Sequence, residues 1–263
     1  MDMNSISSLT IVENELVANK LVANNFFEEE TIVVEPIGAA LASSDVQRTI
    51  ITIYAHADDE VLPAAGTLLL MSRAGWRVHC IVLTNGNHSS TSVKDVRFQE
   101  AEAAGEIIGA THEFHNLAEC NFSSQEVVKV VEAAINKLNP TILITHAPQP
   151  ERYGHRDHEV CAIAVSNVAT RKNISLWYSA PPVFQRGFDP NFFVDITPVI
   201  KDKIDAIGCY DSESSKSFMQ LDAILVLSRF WARELGRQDG YFEAFQIFRQ
   251  CVDAKFFNAL AIS

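Results

Sequence analysis

The chain has 263 residues, a length that suffices for one large domain with a full hydrophobic core. Hydrophobic residues make up 48% of it and charged residues 21%, as in ordinary globular proteins, and the nearly apolar run Val61–Met71 is shorter than the about 20 residues that cross a bilayer. A net charge of −12 repels phosphates and anionic lipids, so we expect neither nucleic acid nor membrane as a partner.

The amino terminus and the cysteines indicate the compartment. The first ten residues, MDMNSISSLT, lack the basic and apolar segments of a secretory signal. Five cysteines are dispersed without a C-x-x-C pair, which favours reduced thiols. We therefore expect a soluble, cytoplasmic protein whose cysteines take no part in catalysis.

Residues 1–48 differ from the rest of the chain and are interpreted as an N-terminal extension. This segment predicts a short helix that ends near Asn24, and an edge strand within Thr31–Leu41 that Pro36 limits. Its role stays open between covering a cleft, forming a subunit interface and packing on a sheet edge. The principal domain is predicted to span residues 49–263.

From Thr49 onward, buried strands alternate with helices. The predicted strands are Thr49–Ala55, Val78–Thr84, His112–Asn116 and Thr141–Ala147, and the predicted helices are Glu60–Ala74, 93–109, Gln125–Leu138 and Asp157–Arg171. The segments LWYSAPP and FFVDITP and a helical C-terminal third complete the chain. This order predicts an α/β fold, a Rossmann-like, doubly wound and mostly parallel sheet with helices on both faces. No G-x-G-x-x-G follows a strand, which argues against a dinucleotide enzyme.

The first chemical motif is His56-Ala57-Asp58-Asp59-Glu60, directly after the first strand. One imidazole and three carboxylates so close together would be costly to bury without a cation. Histidine nitrogen and carboxylate oxygen are suitable zinc ligands. A solvated helix N-terminus, where the helix dipole favours acids, explains this motif equally well when it is taken alone.

The second motif is His155-Arg156-Asp157-His158, which follows the strand Thr141–Ala147 and a loop. His155 and His158 lie on one face if they open a helix. Ligands of open α/β sheets bind at the carboxyl ends of the strands, where a doubly wound sheet can bring both motifs together. The pair of motifs therefore favours a metal site.

With both motifs in view, the sequence resembles the PIG-L/LmbE-like family of zinc-dependent N-acetylglucosaminide deacetylases. The family has A-H-P-D-D-E after the first strand and H-x-D-H after a later one, and this chain has AHADDE and HRDH. Ala57 departs from the family's usual proline, which leaves the metal loop less restricted in φ. Further similarities lie between about Thr49 and Arg249, at Thr84-x-Gly86, Arg97-x-x-Glu100, Ile108-Gly109, Val194–Thr197, Lys203 and Gly240–Phe245.

The resemblance implies a division of roles at the site. His56, Asp59 and His158 would hold the metal and leave a coordination position open for water, as catalytic zinc requires. Asp58 would be the general base, and a cationic His155 would stabilise the oxyanion or protonate the departing amine. Zn²⁺ is the implied cofactor, although Fe²⁺ can occupy the same ligands.

Three further residues are assigned to the support of this centre. Asp157 would orient a ligand imidazole, with an acid at a helix N-terminus as the alternative. Glu60 would hold the metal loop through hydrogen bonds. His146, just past its strand, would support the ligands or be an ordinary core histidine.

Two residues are assigned to the substrate. Arg97 would contact the substrate, or else pair with Glu100 or Glu102 on a surface helix. His88 would line the mouth of the cleft. The loop that contains His88 differs from that of many family members, so the sugar contacts are open.

The implied reaction is the removal of an N-acetyl group from a glucosamine-type sugar or sugar conjugate, with release of acetate. Two alternatives stay open: a metal-dependent amide or ester hydrolase with a non-sugar acyl substrate, and a non-catalytic, metal-stabilised sugar-binding domain. The implied partner is a small amino-sugar conjugate. A homo-oligomer is also compatible, because the family often forms oligomers.

Overall fold

A seven-stranded sheet organises the computed structural model, which describes residues 47–84, 94–148, 155–182 and 187–251. The strands are β1 (Thr49–Tyr54), β2 (Arg77–Thr84), β3 (Ala110–Leu117), β4 (Ile142–His146), β5 (Ser175–Ser179), β6 (Phe192–Asp195) and β7 (Phe242–Arg249). Their order across the sheet is β3-β2-β1-β4-β5-β7-β6. Strands β1 to β5 are mutually parallel, whereas β7 runs antiparallel to both of its neighbours.

Six α-helices accompany the sheet within the described residues. They are α1 (Val61–Arg73), α2 (Lys94–Ile108), α3 (Ser124–Leu138), α4 (Arg156–Lys172), α5 (Ile200–Ile207) and α6 (Leu221–Glu234), with 3-10 turns at Thr197–Val199, Asp211–Glu213 and Ser217–Met219. None of these helices is both long enough and apolar enough to cross a membrane.

Local sequence explains where several helices begin and end. The chain leaves α1 at Gly75, whose φ of 82° suits a residue without a Cβ. Helix α3 begins with a capping box, in which Ser123 and Glu126 each accept a backbone N–H of the other. It ends at Asn139 in the left-handed conformation.

The core lies on both faces of the sheet, because neighbouring residues of a buried strand point in opposite directions. Ile50 of β1 packs in the cluster that contains Leu68 of α1 and Ile108 of α2. Ile51, its neighbour, packs in the cluster that contains Val131 of α3 and Val165 of α4. The predicted fold class, a doubly wound and mostly parallel α/β sheet, is therefore confirmed.

The C-terminal third differs from the prediction, because it is not wholly helical. After α5 and α6 the chain forms β7 (Phe242–Arg249), which lies between β5 and β6. Phe242 to Phe245 are all buried, so this strand has the continuous burial of a central strand. The predictions for residues 1–46 lie outside the described residues.

The topology places the two motifs at one point. The chain moves from β1 outward to β2 and β3, and it then returns to place β4 on the other side of β1. A ligand crevice forms where the strand order reverses in this way. The motif that begins at His56 follows β1, and the motif that begins at His155 follows β4.

Candidate metal centre

The turn after β1 concentrates the first set of ligands. Backbone N–H groups of Asp58 and Asp59 both donate to the carbonyl oxygen of His56, at 3.2 and 3.4 Å. The backbone N–H of His56 donates in turn to Oδ2 of Asp59 at 2.8 Å. These bonds fold the turn back on itself, so that His56 and Asp59 point to the same place.

Three ligand atoms converge at this turn. Nδ1 of His56 lies 3.1 Å from Oδ2 of Asp59 and 3.2 Å from Nε2 of His158, and the last two atoms are 3.3 Å apart. Tetrahedral zinc with bonds of about 2.0–2.1 Å places its ligand atoms roughly 3.3 Å from one another. The spacing of these side chains therefore fits a zinc-sized cation.

His146 lies against the same group, and its ligand atom is within 4.8 Å of those of Asp59 and His158. Its Nε2 is 3.5 Å from Oδ2 of Asp59, and its ring stacks on that of His158 with 4.0 Å between centroids. The backbone N–H of Ala55 already donates to this Nε2 at 3.1 Å. The predicted role of His146 in supporting the ligands stays a prediction.

Carboxylates lie behind His56. Its Nε2, the nitrogen that faces away from the other ligands, is 3.6 Å from Oδ2 of Asp157 and 3.5 Å from Oε1 of Glu119. Burial lowers the pKa of His56, but Asp59 and Asp157 outweigh burial and raise it to about 9. A carboxylate in this position fixes the orientation of a metal-binding imidazole and makes it more basic.

Asp58 lies among a different set of charged side chains. Its Oδ2 accepts from Nη2 of Arg97 at 2.8 Å and lies 3.6 Å from Nζ of Lys216, while Nε of Arg97 is 3.2 Å from Oε1 of Glu213. Burial and the neighbouring Asp59 raise the pKa of Asp58 to about 6, although Arg97 opposes them. The surface alternative for Arg97 is wrong, because this side chain is buried.

Glu100, the partner that a surface Arg97 would have had, is engaged elsewhere. Its carboxylate accepts from the backbone N–H of Ser212 at 2.8 Å and from the Ser212 hydroxyl at 2.5 Å. This contact connects α2 to the 3-10 turn Asp211–Glu213. It therefore holds Glu213 beside Arg97.

Glu60 supports the loop from outside the ligand group. Its Oε1 accepts from the Tyr210 hydroxyl at 2.9 Å and lies 3.3 Å from Nε2 of His112. Glu60 thus connects the start of α1 to β3 and to the segment after α5. Its hydrogen bonds are directed at these supports rather than at the three ligand atoms.

His155 lies at the exposed side of the centre. Its ring is 4.5 Å from that of His56 and 5.1 Å from that of His158, measured between centroids. It caps α4, where Nδ1 accepts from the backbone N–H of Asp157 at 3.3 Å. Burial and the charges of His56 and His158 lower the pKa of His155. This direction favours a neutral imidazole, which differs from the cation expected from the sequence.

His88 lies outside the described residues, so its predicted place at the cleft mouth is still a prediction.

Comparison with known proteins bears on the remaining predictions. Residues 51–169 match the family model described as PIG-L, GlcNAc-PI de-N-acetylase, and the match includes both metal motifs. The chain contains a PIG-L (LmbE-like) domain.

Two relatives of this PIG-L domain have different activities. The 4-oxalmesaconate hydratase of Pseudomonas putida is 26% identical over 192 residues, which cover 62% of this chain and 73% of the hydratase. Diacetylchitobiose deacetylase of Thermococcus kodakarensis is 24% identical over 223 residues, which cover 75% of this chain and 82% of the deacetylase. These relatives support a metal-dependent enzyme, either a deacetylase-type hydrolase or a related hydratase.

A solved structure shares the fold of the PIG-L domain. The crystal structure of a 4-carboxy-2-hydroxymuconate hydratase from Pseudomonas putida superposes with a TM-score of 0.67 at 21% identity, and the alignment covers 79% of this chain and 98% of the hydratase. At this identity the likeness shows the fold.

The structure also adds residues that the sequence analysis missed. Glu119 and Cys120 follow β3 at its carboxyl end, so the rule that led to the first two motifs could have found them. Glu213 lies in the 3-10 turn Asp211–Glu213 and Lys216 just before the next one, and neither position has a strand-end signal. The charged surroundings of Asp58 in this PIG-L domain are therefore visible only in three dimensions.

Proposed function

We propose that this PIG-L domain is a zinc-dependent deacetylase that removes an N-acetyl group from a glucosamine-type sugar or sugar conjugate and releases acetate. The observation that carries this proposal is the convergence of the His56, Asp59 and His158 ligand atoms, with the buried carboxylate of Asp58 beside them. Three protein ligands leave room for a water molecule, as a catalytic centre needs. A purely structural zinc site would be closed by a fourth protein ligand.

The described side chains divide the work of amide hydrolysis. A divalent cation, when bound, polarises the amide carbonyl and makes the water acidic. Asp58 accepts the proton of the attacking water as a C–O bond forms at the carbonyl carbon. Arg97, at 2.8 Å from Asp58, holds that carboxylate in place. The C–N bond then breaks, and the nitrogen leaves as an amine once it has received a proton.

His155 completes the proposed arrangement. It is partly exposed, and its ring lies 4.5 Å from that of His56 and 5.1 Å from that of His158, between centroids. From there its imidazole donates a hydrogen bond to the developing oxyanion or carries a proton to the amine. Because Nδ1 accepts from the backbone N–H of Asp157, a neutral imidazole has its proton on Nε2, and this state suits the first role.

Charge favours an uncharged substrate over a polycarboxylate. Among the described residues around the centre, the carboxylates of Glu119, Asp157 and Glu213 add to that of Asp58. The nearby cations are already paired: Arg97 and Lys216 contact Asp58 and Glu213, and Arg156 contacts Asp157. A substrate with several carboxylates needs cations that are not already paired. An N-acetylated sugar needs hydrogen-bond partners instead.

The second candidate is hydration of an unsaturated carboxylic acid. It is favoured by the hydratase relative, which is 26% identical to this chain. The same ligands and the same base could activate water for addition to a carbon–carbon double bond. The two reactions differ in product, because hydration releases no acetate.

The experiment that tests the proposal measures metal and product together. Protein purified without chelators is expected to hold about one zinc per chain and to release acetate from N-acetylglucosamine or a small set of its conjugates. A chelator should stop the reaction, and added zinc should restore it. Metal without acetate release, together with water addition to an unsaturated dicarboxylate, would favour the hydratase. Absence of bound metal would contradict both candidates.

Location and assembly enter the proposal as well. We propose a cytoplasmic enzyme with a small-molecule partner and no nucleic-acid or membrane partner, because of its acidic charge. A homo-oligomer is compatible with the proposal, and sedimentation of the purified protein measures it directly.

A further inference from the structure

A second group of metal-ligand side chains lies beside the candidate centre. Cys120, His155 and Asp157 each offer one ligand atom, and these three atoms lie within 4.8 Å of one another. A thiolate, an imidazole and a carboxylate together suit soft and borderline divalent cations. The proposed reaction uses neither the thiol nor this combination of atoms.

Asp157 has spare capacity to bind a cation. Its side chain is fully buried, and Oδ2 accepts from the backbone N–H of Cys120 at 2.8 Å. Oδ1 accepts no hydrogen bond from the residues that the structure describes, and Nη1 of Arg156 lies 3.5 Å from it. A buried carboxylate oxygen without a hydrogen-bond donor is costly, and a cation would remove that cost.

Cys120 combines a fixed backbone with an accessible side chain. The bond to Asp157 holds its backbone, which has a φ of 60°, an uncommon conformation for a residue other than glycine. Its side chain is exposed. A cation from solvent can therefore reach a thiol that is already held next to the buried carboxylate.

His155 connects this group to the candidate centre. Its Nδ1 lies 3.9 Å from Oδ2 of Asp157, and its ring is 4.5 Å from that of His56. The N–H of Asp157 donates to Nδ1 over 3.3 Å, a long bond that a cation could replace. Whatever binds Cys120 and His155 together would thus remove His155 from the reaction.

We propose that Cys120, His155 and Asp157 form a second, inhibitory site for a soft divalent cation, such as Cd²⁺ or an excess of Zn²⁺. Binding displaces the thiol proton to solvent and engages a nitrogen lone pair of His155. The inhibition rests on the proposed function, in which His155 serves the reaction, whereas the binding does not depend on it.

Cd²⁺ titration tests the binding. Protein that carries one equivalent of its catalytic metal is titrated with Cd²⁺ while the ultraviolet absorption of thiolate-bound cadmium is recorded. One further equivalent is expected to saturate this absorption, and Cys120→Ser is expected to abolish it. The matched control is Cys209→Ser, which replaces a half-buried cysteine outside the group and should keep the signal. Absorption that persists in C120S, or disappears in C209S, would overturn the proposal.

Inhibition is measured separately, as the Cd²⁺ concentration that halves the rate of each variant relative to its own uninhibited rate. We expect this concentration to rise at least tenfold in C120S and to stay unchanged in C209S. Equal values in all three proteins would show that the cation does not inhibit through Cys120. If no substrate releases acetate, the proposed function fails, but the absorption measurement still decides whether the site binds a cation.

Discussion

Two buried clusters of charge differ in how completely their hydrogen bonds are satisfied. In the first, Nζ of Lys203 donates to Oε1 of Glu243 and to the carbonyl oxygen of Leu62, both at 2.7 Å. Glu243 also accepts from the backbone N–H groups of Gly66 and Thr67, each at 2.8 Å. Every partner belongs to the chain itself, so this cluster is complete without a ligand.

The second cluster is the candidate metal centre, and its bonds are incomplete. Nε2 of His56, Oδ1 of Asp157 and Oε2 of Glu60 are buried and have no hydrogen bond to any described residue. Asp58 has its pKa raised to about 6, which shows that its surroundings do not favour its charge. The first cluster therefore stabilises the fold, whereas the second is arranged to bind a ligand at some cost to the stability of the fold.

The strongest effect is expected at the second cluster, where a substitution should reduce activity without reducing stability. Asp58→Asn should lower the rate about 10²–10⁴-fold, because the proton of the attacking water loses its acceptor. Metal content and the free energy of unfolding should stay nearly unchanged, since Asn keeps the shape, removes a disfavoured charge and leaves Arg97 its contact with Glu213. The control is Asp189→Asn, an exposed site. Turnover that survives in D58N would rule out Asp58 as the base.

The next effect is on stability, at the first cluster. Lys203→Met should lower the free energy of unfolding by about 3–5 kcal/mol, because it leaves the buried carboxylate of Glu243 without its cation. Urea unfolding at constant metal concentration measures this loss. The double variant K203M/E243Q should be less destabilised than the sum of its single variants. If K203M leaves the free energy of unfolding unchanged, the distinction between the two clusters is wrong.

The contact between His112 and Glu60 is an intermediate case in its contribution to stability. Burial lowers the pKa of His112, but Cys80 and Glu60 outweigh burial and raise it to about 10, against an ordinary value of 6.5. A raised pKa means that the stabilisation is complete below pH 6.5 and is lost as the pH rises toward 10. The loss should be on the order of 4–5 kcal/mol.

Urea unfolding at several pH values between 6 and 10 measures this dependence. His112→Gln should have a flatter profile, because glutamine does not titrate. Parallel profiles for the two proteins would mean that His112 is not charged in the folded state. These two results decide whether the His112–Glu60 pair stabilises the fold, as the first cluster does, or does not.

The smallest effect is expected at the surface, where helix α1 contacts helix α5. Nη2 of Arg73, in α1, lies 2.7 Å from Oδ2 of Asp202, in α5, and both side chains are substantially exposed. Arg73→Ala should cost less than about 1 kcal/mol, since solvent screens an exposed pair. The cost should disappear at high salt, whereas that of K203M should persist. A salt-independent loss above this range would mean that Arg73 acts through packing.

The fold and the meeting of the two motifs could be predicted because both rest on short-range patterns. Buried parallel strands have continuous apolar sequences, as in β1, and Gly75 marks the end of a helix. The strand-end rule then places His56 and His158 in one crevice without knowledge of any distance. The proximity of His146 and Asp157 to the ligands follows from the same rule.

The rest depends on contacts between distant segments. Strand β7 was missed because it inserts between two strands that come earlier in the chain, a pairing that no local pattern indicates. Arg97 was left with a surface alternative because its partner Glu213 lies 116 positions away, in a 3-10 turn that has no periodic pattern. The protonation state of His155 could not be predicted from the sequence either, because it depends on which imidazoles surround it.

The insertion of β7 has a consequence for the order in which the enzyme matures. Glu243 lies 177 positions after Gly66, whose backbone it binds near the start of α1. During synthesis, the candidate metal ligands His56 and Asp59 leave the ribosome long before the strand that secures the following helix. Such distant contacts close late in folding. Nascent chains that stop before residue 242 should therefore bind metal weakly, and full affinity should develop only after the last strand has been made.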